Sequence, residues 1–323
     1  MNEQIKGHML ACMTILIWGT TFISTKVLLR DFTPLQILFT RFMIGYLALW
    51  AVAPRLTRIR QKKEELYFLA AGLCGVTLYF LMENIALTYT QASNVGIIVA
   101  VSPFFTMFFG IWLLKQKRPG VRFFIGFLIA MTGILCISLE GSQNLELNPK
   151  GDLLALGAAI VWALYSTITK KISSFGYTII PMTRRIFFYG LLCMLPVIFI
   201  SGMELPKLEQ LTVLNTANIL FLGLGASAMC FVSWNSAVRI LGTVQTSVYI
   251  YAVPVVTTLA SVWILKETVT IIGVIGIVMI VLGLLLSQNR KGERVWRKTE
   301  NASWRWMHHW HRELPQIPRH CWG

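Results

Sequence analysis

A pattern of five hydrophobic segments is written twice in this chain, and the second copy overlays the first. Gly7, Leu10, Ala11, Trp18, Lys26 and Arg41 match Gly151, Leu154, Ala155, Trp162, Lys170 and Arg185 at an offset of 144. The offset becomes 151 for Asn84/Asn235, Ala86/Ala237, Pro103/Pro254, Trp112/Trp263 and Lys115/Lys266, then 150 for Gly126/Gly276 and Gly133/Gly283. A copy with an odd number of membrane crossings forces its successor to insert upside down. Two inverted halves facing each other across a bilayer are the architecture of secondary transporters, with the substrate held between them. The duplication therefore points to transport before catalysis.

The segments are apolar enough for that reading. Of 323 residues, 55% are hydrophobic and 13% charged, with a mean hydropathy of +0.64. A soluble domain carries about twice that charge, and here the charges lie between the apolar stretches. A helix needs about 20 residues to cross the hydrocarbon core. Ten spans are expected, at about 8–28, 33–53, 66–88, 93–114, 121–140, 151–170, 178–201, 214–238, 243–265 and 269–288. The fold class is thus an all-α membrane protein of ten transmembrane helices in two inverted five-helix repeats, 7–140 and 151–288, followed by a tail, 289–323. The stretch from His8 to Val27 is long enough to span and no A-x-A site follows it, so it is expected to be a first span and not a signal peptide. Very short links, Tyr89 to Ala92 and around Gly242, predict one tight hairpin in each repeat.

Lys and Arg in the loops set the orientation. With the N-terminus inside, the cytoplasmic side collects thirteen, including Lys6, Arg58, Lys62, Lys117, Lys171 and Arg239, and the opposite side five: Lys26, Arg30, Lys150, Lys207 and Lys266. Both termini are expected to be cytoplasmic in a bacterial inner membrane. The external loop 140–152 is net acidic, in agreement. The formal charge of +15 then reads as a topology signal and a contact with anionic lipid, not as a nucleic-acid surface. In the tail, Trp296, Trp304, Trp306, Trp310 and Trp322 alternate with bases, which suits either headgroup contact or a poorly ordered extension. Cysteine and histidine spacing offers no metal or disulfide framework, and neither metal nor cofactor is expected.

Polar residues inside apolar segments are the candidates for chemistry. Glu83 is the one carboxylate that the expected spans place clear of their edges, about 17 residues or roughly 25 Å beyond residue 66. An ionisable group in lipid reads as functional by default. Glu83 either binds a cationic group or a proton, or snorkels toward a vestibule. Asn84 and Asn235 are either interhelical hydrogen-bond partners or substrate contacts. Arg41, Arg184 and Arg185 either anchor helix ends or, for an anionic substrate, form a clamp. Arg41 and Arg185 match in the repeat and are expected to do the same job in each half. Trp18 and Trp162 fall near mid-depth, unusual for lipid-facing indoles, and with Tyr79, Tyr165, Tyr249 and Tyr251 either pack the bundle or line a pocket. Pro103 and Pro254 interrupt the fourth and ninth spans at equivalent places, where matched kinks serve rocking helices. Runs such as Gly223-x-Gly225-Ala226 read as close packing.

Three stretches carry a family likeness. ENIALTYTQASNVGIIVAVSPFFTMFFGIWLLKQK, its partner WNSAVRILGTVQTSVYIYAVPVVTTLASVWILKET and the closing G-x(6)-G helices resemble the EamA-type transporters of the drug/metabolite transporter superfamily. The likeness implies ten helices in inverted repeats, cytoplasmic termini, and export or exchange of small metabolites, often amino acids. It also implies a central cavity lined by helices one, three, four, six, eight and nine. The family's Lys-Glu is Lys266-Glu267 in the second copy but Lys115-Gln116 in the first. The reading is a secondary transporter moving a small polar metabolite, amino-acid-like or drug-like, by alternating access. The alternatives are an antiporter of phosphorylated or nucleotide-linked sugars and an integral-membrane transferase. The latter lacks a D-x-x-D or H-x(4)-D cluster near any span.

Overall fold

The computed structural model describes residues 3–55, 59, 61–90, 92–141, 148–265 and 271–288. Arg58, Arg60, Lys266, Glu267, most of the external loop and the tail 289–323 with its tryptophans and histidines lie outside the described residues. Among those described, every regular element is a helix. Eight helices or helix pairs are long and apolar enough to cross a membrane. Two shorter apolar helices, Val121–Ile137 and Ile271–Ser287, stand where the fifth and tenth spans were expected. The chain is a multi-pass membrane protein.

In order, α1 is Glu3–Leu28 and α2 is Pro34–Val52. The third span runs as α3 (Lys62–Gly72), a π-helical stretch Leu73–Leu78, and α4 (Tyr79–Tyr89). The fourth is split into α5 (Ala92–Val99) and α6 (Ser102–Leu114), and α7 is Val121–Gly141. The second copy follows with α8 (Pro149–Ser173) and α9 (Ile179–Ser201). Its third span is α10 (Val213–Leu220), a π-helical stretch Phe221–Met229, and α11 (Cys230–Leu241). Then come α12 (Thr243–Ser247), a 3-10 turn Val248–Ala252, α13 (Val253–Leu265) and α14 (Ile271–Ser287).

Local sequence sets the boundaries. Thr33 and Gln36 form a reciprocal capping box ahead of Pro34, satisfying two donors that a helix start leaves open. Asn148 caps α8 ahead of Pro149, its side-chain oxygen accepting from the Lys150 and Gly151 amides. Gly242, at φ 93, turns the chain between α11 and α12, a conformation that glycine adopts without penalty. Pro103 and Pro254 each sit in the first turn of a new helical segment, α6 and α13. The breaks thus come one or two residues before the prolines, where a missing N–H costs nothing.

The copies are packed into each other. α1 lies against α11 and α13, α4 and α6 against α8, and α3 against α9. The closest pair is α7 with α14. A Cβ on Gly126 would sit 2.5 Å from the Gly283 carbonyl, and one on Gly133 would sit 2.6 Å from that of Gly276. The early glycine of one helix meets the late glycine of the other, so these repeat-equivalent helices run antiparallel. Backbones come this close only where side chains are absent. At the centre, Trp18 meets Trp162 edge-to-face and Trp234 at a tilt, with centroid distances of 5.2 and 5.1 Å. Phe231 meets Phe42 and Phe187 at 5.6 and 5.1 Å. Each such pair adds about 0.5–1.5 kcal/mol beyond burial.

Candidate functional site

A cavity of about 560 Å³, counting the open space at its mouth, lies among these helices. α1 presents Trp18, Thr21 and Phe22 to it, residues spaced to share a helix face. α2 contributes Arg41, and α4 contributes Tyr79, Phe80 and Glu83. Gly96 and Val99 of α5, Trp162 of α8, and Ile250 and Val253 beside the break in the ninth span complete the wall. The lining comes from spans one, two, three, four, six and nine. Against what the family resemblance implies, span eight gives no lining residue, and span two supplies the cation.

The two charges of this wall are buried. Glu83 is 8% exposed, hydrogen-bonded to the Tyr79 side chain one turn earlier on the same helix, with Oε2 buried and unpaired. Arg41 is 3% exposed. Its Nε donates to Ser227 Oγ at 3.0 Å, and its guanidinium lies over the Phe80 ring at 4.5 Å and beside Phe42 at 5.4 Å. Aromatic faces attract a cation most where water is excluded. Tyr79 and Trp162 also line the cavity, their rings 4.8 Å apart. Trp18 Nε1 is anchored to the Ala226 carbonyl at 3.0 Å, whereas Trp162 Nε1 is buried without a partner. The cavity wall thus carries a carboxyl group, a guanidinium and aromatic ring faces.

Four of the residues picked as substrate contacts are not brought there. Tyr165 donates to Asn235 Oδ1 at 2.8 Å, and Asn235 Nδ2 donates to Thr183 at 3.0 Å, a chain joining α8, α11 and α9. Asn84 faces α2, its Nδ2 donating to the Pro34 carbonyl at 3.3 Å. Tyr249 pairs with His8 Nδ1 at 2.6 Å. Each spends its polarity on a neighbouring helix, because an unpaired amide or hydroxyl inside the bundle is costly.

The arginines also divide. Arg185 forms a two-point ion pair with Glu65, Nε reaching Oε2 at 3.2 Å and Nη2 reaching Oε1, while the Tyr189 hydroxyl donates to the same carboxylate. It stands outside the cavity wall, so Arg41 and Arg185 do not share one environment. Arg184 donates to the carbonyls of Ala53 and Arg55, holding the end of α2. A second buried carboxylate, Glu64, falls outside the expected spans. α3 begins at Lys62, four residues before the expected start, which places Glu64 inside it, buried and bonded by the Tyr177 hydroxyl. Gln116, at the repeat place of Glu267, accepts from Thr243 at 3.2 Å.

Phe22, Phe80 and Ile250 join the wall without any signal of their own, being apolar residues in apolar helices. Thr21 and Phe22 are recoverable only by stepping three and four residues from Trp18 along the same face.

A helical membrane bundle with a charged, aromatic-walled cavity at its core defines a class, that of multi-pass proteins handling small solutes. Comparison with known proteins narrows it. The profile of the EamA-like transporter family matches twice, over residues 5–139 and 149–288. The chain belongs to the EamA-like transporter family and is a membrane transporter. It is 27% identical to an uncharacterized transporter of Clostridium kluyveri, over 92% of this chain and 98% of that one. It is 26% identical to one of Archaeoglobus fulgidus, over 87% and 97%. A probable terminal-alkyne amino-acid exporter of Streptantibioticus cattleyicolor is 24% identical, over 86% and 92%. A crystal structure of another protein superposes with a TM-score of 0.72 at 19% identity, over 87% of this chain and 96% of its own, which speaks to the fold alone.

Proposed function

We propose that this protein is a secondary transporter that exports or exchanges a small zwitterion of the amino-acid class by alternating access. The observation that carries the reading is that Glu83 and Arg41 both line one aromatic-walled cavity. An α-ammonium fits the unpaired Glu83 Oε2. An α-carboxylate fits Arg41, with Trp162 Nε1 as a further donor. An apolar side chain lies against Phe22, Phe80 and the indoles. Burial makes these complementary charges selective, since a ligand lacking one pole leaves a charge unpaired.

The antiparallel fit of α7 on α14 supports two inverted five-helix repeats, and the loop bases support cytoplasmic termini in a bacterial inner membrane with anionic-lipid contact. π-helical stretches at matching places in the third and eighth spans, a geometry frequent at functional sites, support motion there. The relative named as an amino-acid exporter favours the same substrate class. A phosphorylated-sugar antiporter needs surplus positive charge at the site. Arg185, the second arginine that reading requires, is engaged by Glu65.

The test is uptake and counterflow in proteoliposomes against a panel of amino acids, amines and organic acids. Zwitterions are expected to move, and both Glu83→Gln and Arg41→Lys to slow them. Transport of sugar phosphates or monoanions in preference to zwitterions overturns the proposal.

A further inference from the structure

We infer that Ser227 is a positioning residue that aims Arg41 at the carboxylate end of the transported molecule, giving the eighth span control of a site whose wall it does not form. This rests on the proposed role of Arg41 as the carboxylate partner.

The geometry starts with backbones. α2 and the π-helical stretch Phe221–Met229 meet through glycine. A Cβ on Gly45 would lie 3.1 Å from the Gly223 carbonyl and 3.3 Å from Ser227 Cβ. A Cβ on Gly223 would lie 3.2 Å from the Arg41 carbonyl. So close an approach puts the short Ser227 side chain, itself fully buried, within 3.0 Å of Arg41 Nε. A guanidinium offers a planar fork of donors. With Nε–H committed to Ser227 and one face against Phe80, the Nη1/Nη2 edge is the one left for a carboxylate, in the two-point geometry that arginine favours. The adjacent residue, Ala226, holds Trp18 in place through its carbonyl. Two consecutive residues of the π-helical stretch thus orient two wall residues that belong to the other copy.

The repeat supplies an internal control. At the offset of 151, the place of Ser227 is taken by Val76, which has no hydroxyl. The repeat-equivalent of Arg41 is Arg185, and its Nε turns to Glu65 instead. Where the serine is missing, the arginine is directed elsewhere.

The experiment measures binding to the purified full-length chain by calorimetry with three probes: L-leucine, its methyl ester, which lacks the carboxylate, and N-acetyl-L-leucine, which lacks the amine. Ser227→Ala is expected to weaken leucine and the N-acetyl form about tenfold and to leave the ester at its wild-type affinity. Ser227→Thr keeps the hydroxyl and restores both. A Ser227→Ala protein that weakens all three alike, or none, while Arg41→Lys loses the carboxylate probes, overturns the positioning role and spares the proposed site. If no probe binds the wild type, the zwitterion site fails, and positioning is read without ligand. The Arg41 ¹⁵Nε–¹H resonance, assigned by its loss in Arg41→Lys, is expected to shift or broaden in Ser227→Ala and to persist in Ser227→Thr. An unchanged resonance in Ser227→Ala refutes the inference by that route.

Discussion

Arg41 and Arg185 occupy the same place in two copies of one sequence pattern and have acquired different surroundings. Arg41 is buried between Phe80 and Ser227 and faces a cavity that also holds Glu83. Arg185 is partly exposed and closed into an ion pair by Glu65 and Tyr189. Two substitutions between the copies account for this. The place of Ser227 holds Val76, and the place of Glu65 holds Thr216. One copy thus lacks a hydroxyl to hold the guanidinium at depth, and the other lacks a carboxylate to draw it away. Duplication has preserved helices, breaks and close packing, while the charges have been free to specialise. A site built from one member of each pair is asymmetric, as a ligand with unlike ends requires.

The asymmetry is most easily broken at the arginines. Arg41→Met is expected to reduce zwitterion transport in proteoliposomes at least about a hundredfold, since a buried charged partner is worth more than about 2.7 kcal/mol. Arg185→Met is expected to stay within a fewfold of wild type. Equal losses would restore the symmetric reading. What the copies share should respond alike. Gly126→Leu and Gly283→Leu each force a side chain into an opposing carbonyl and are expected to cost about 1–3 kcal/mol of stability, seen as similar drops in melting temperature in detergent. The paired amides sharpen the contrast further. Asn235→Leu removes two interhelical hydrogen bonds and leaves Tyr165 unpaired, for about 1–3 kcal/mol. Asn84→Leu loses one long bond, for about 0.5–1 kcal/mol, and the two melting curves should separate in that order. Smallest of all, Glu65→Gln opens a partly exposed ion pair and is expected to change stability by no more than about 1 kcal/mol, with transport unaffected.

Much of this was visible in the sequence because membranes make polarity conspicuous. Arg41, Glu83, Trp18 and Trp162 stand out from apolar surroundings, and the structure collects all four at one cavity together with Tyr79. The hairpin at Gly242 and the glycine spacing of α7 and α14 were legible for a similar reason, since few residues tolerate those backbones. Polarity alone did not reveal how it is satisfied. Asn235 and Tyr165 look like ligand contacts until Thr183 is seen to complete their chain, and Tyr249 until His8 is found 241 residues away in sequence. The π-helical stretches leave no trace in composition, because shifting a hydrogen-bond register by one residue needs no particular side chain. Ser227, inside a run of small residues that reads as packing, was hidden for that reason. The early start of α3, which buries Glu64, was masked by the charged character of its first turn.

The account rests on opposite charges in one cavity selecting a molecule that carries both. The most direct test is inhibition of L-leucine counterflow by N-acetyl-L-leucine, in wild type and in Glu83→Gln. The wild type should discriminate strongly against the inhibitor that lacks an ammonium group, and Glu83→Gln should lose most of that discrimination. If the substituted protein prefers leucine over its N-acetyl form as strongly as the wild type does, Glu83 is not the ammonium partner and the zwitterion site is wrong.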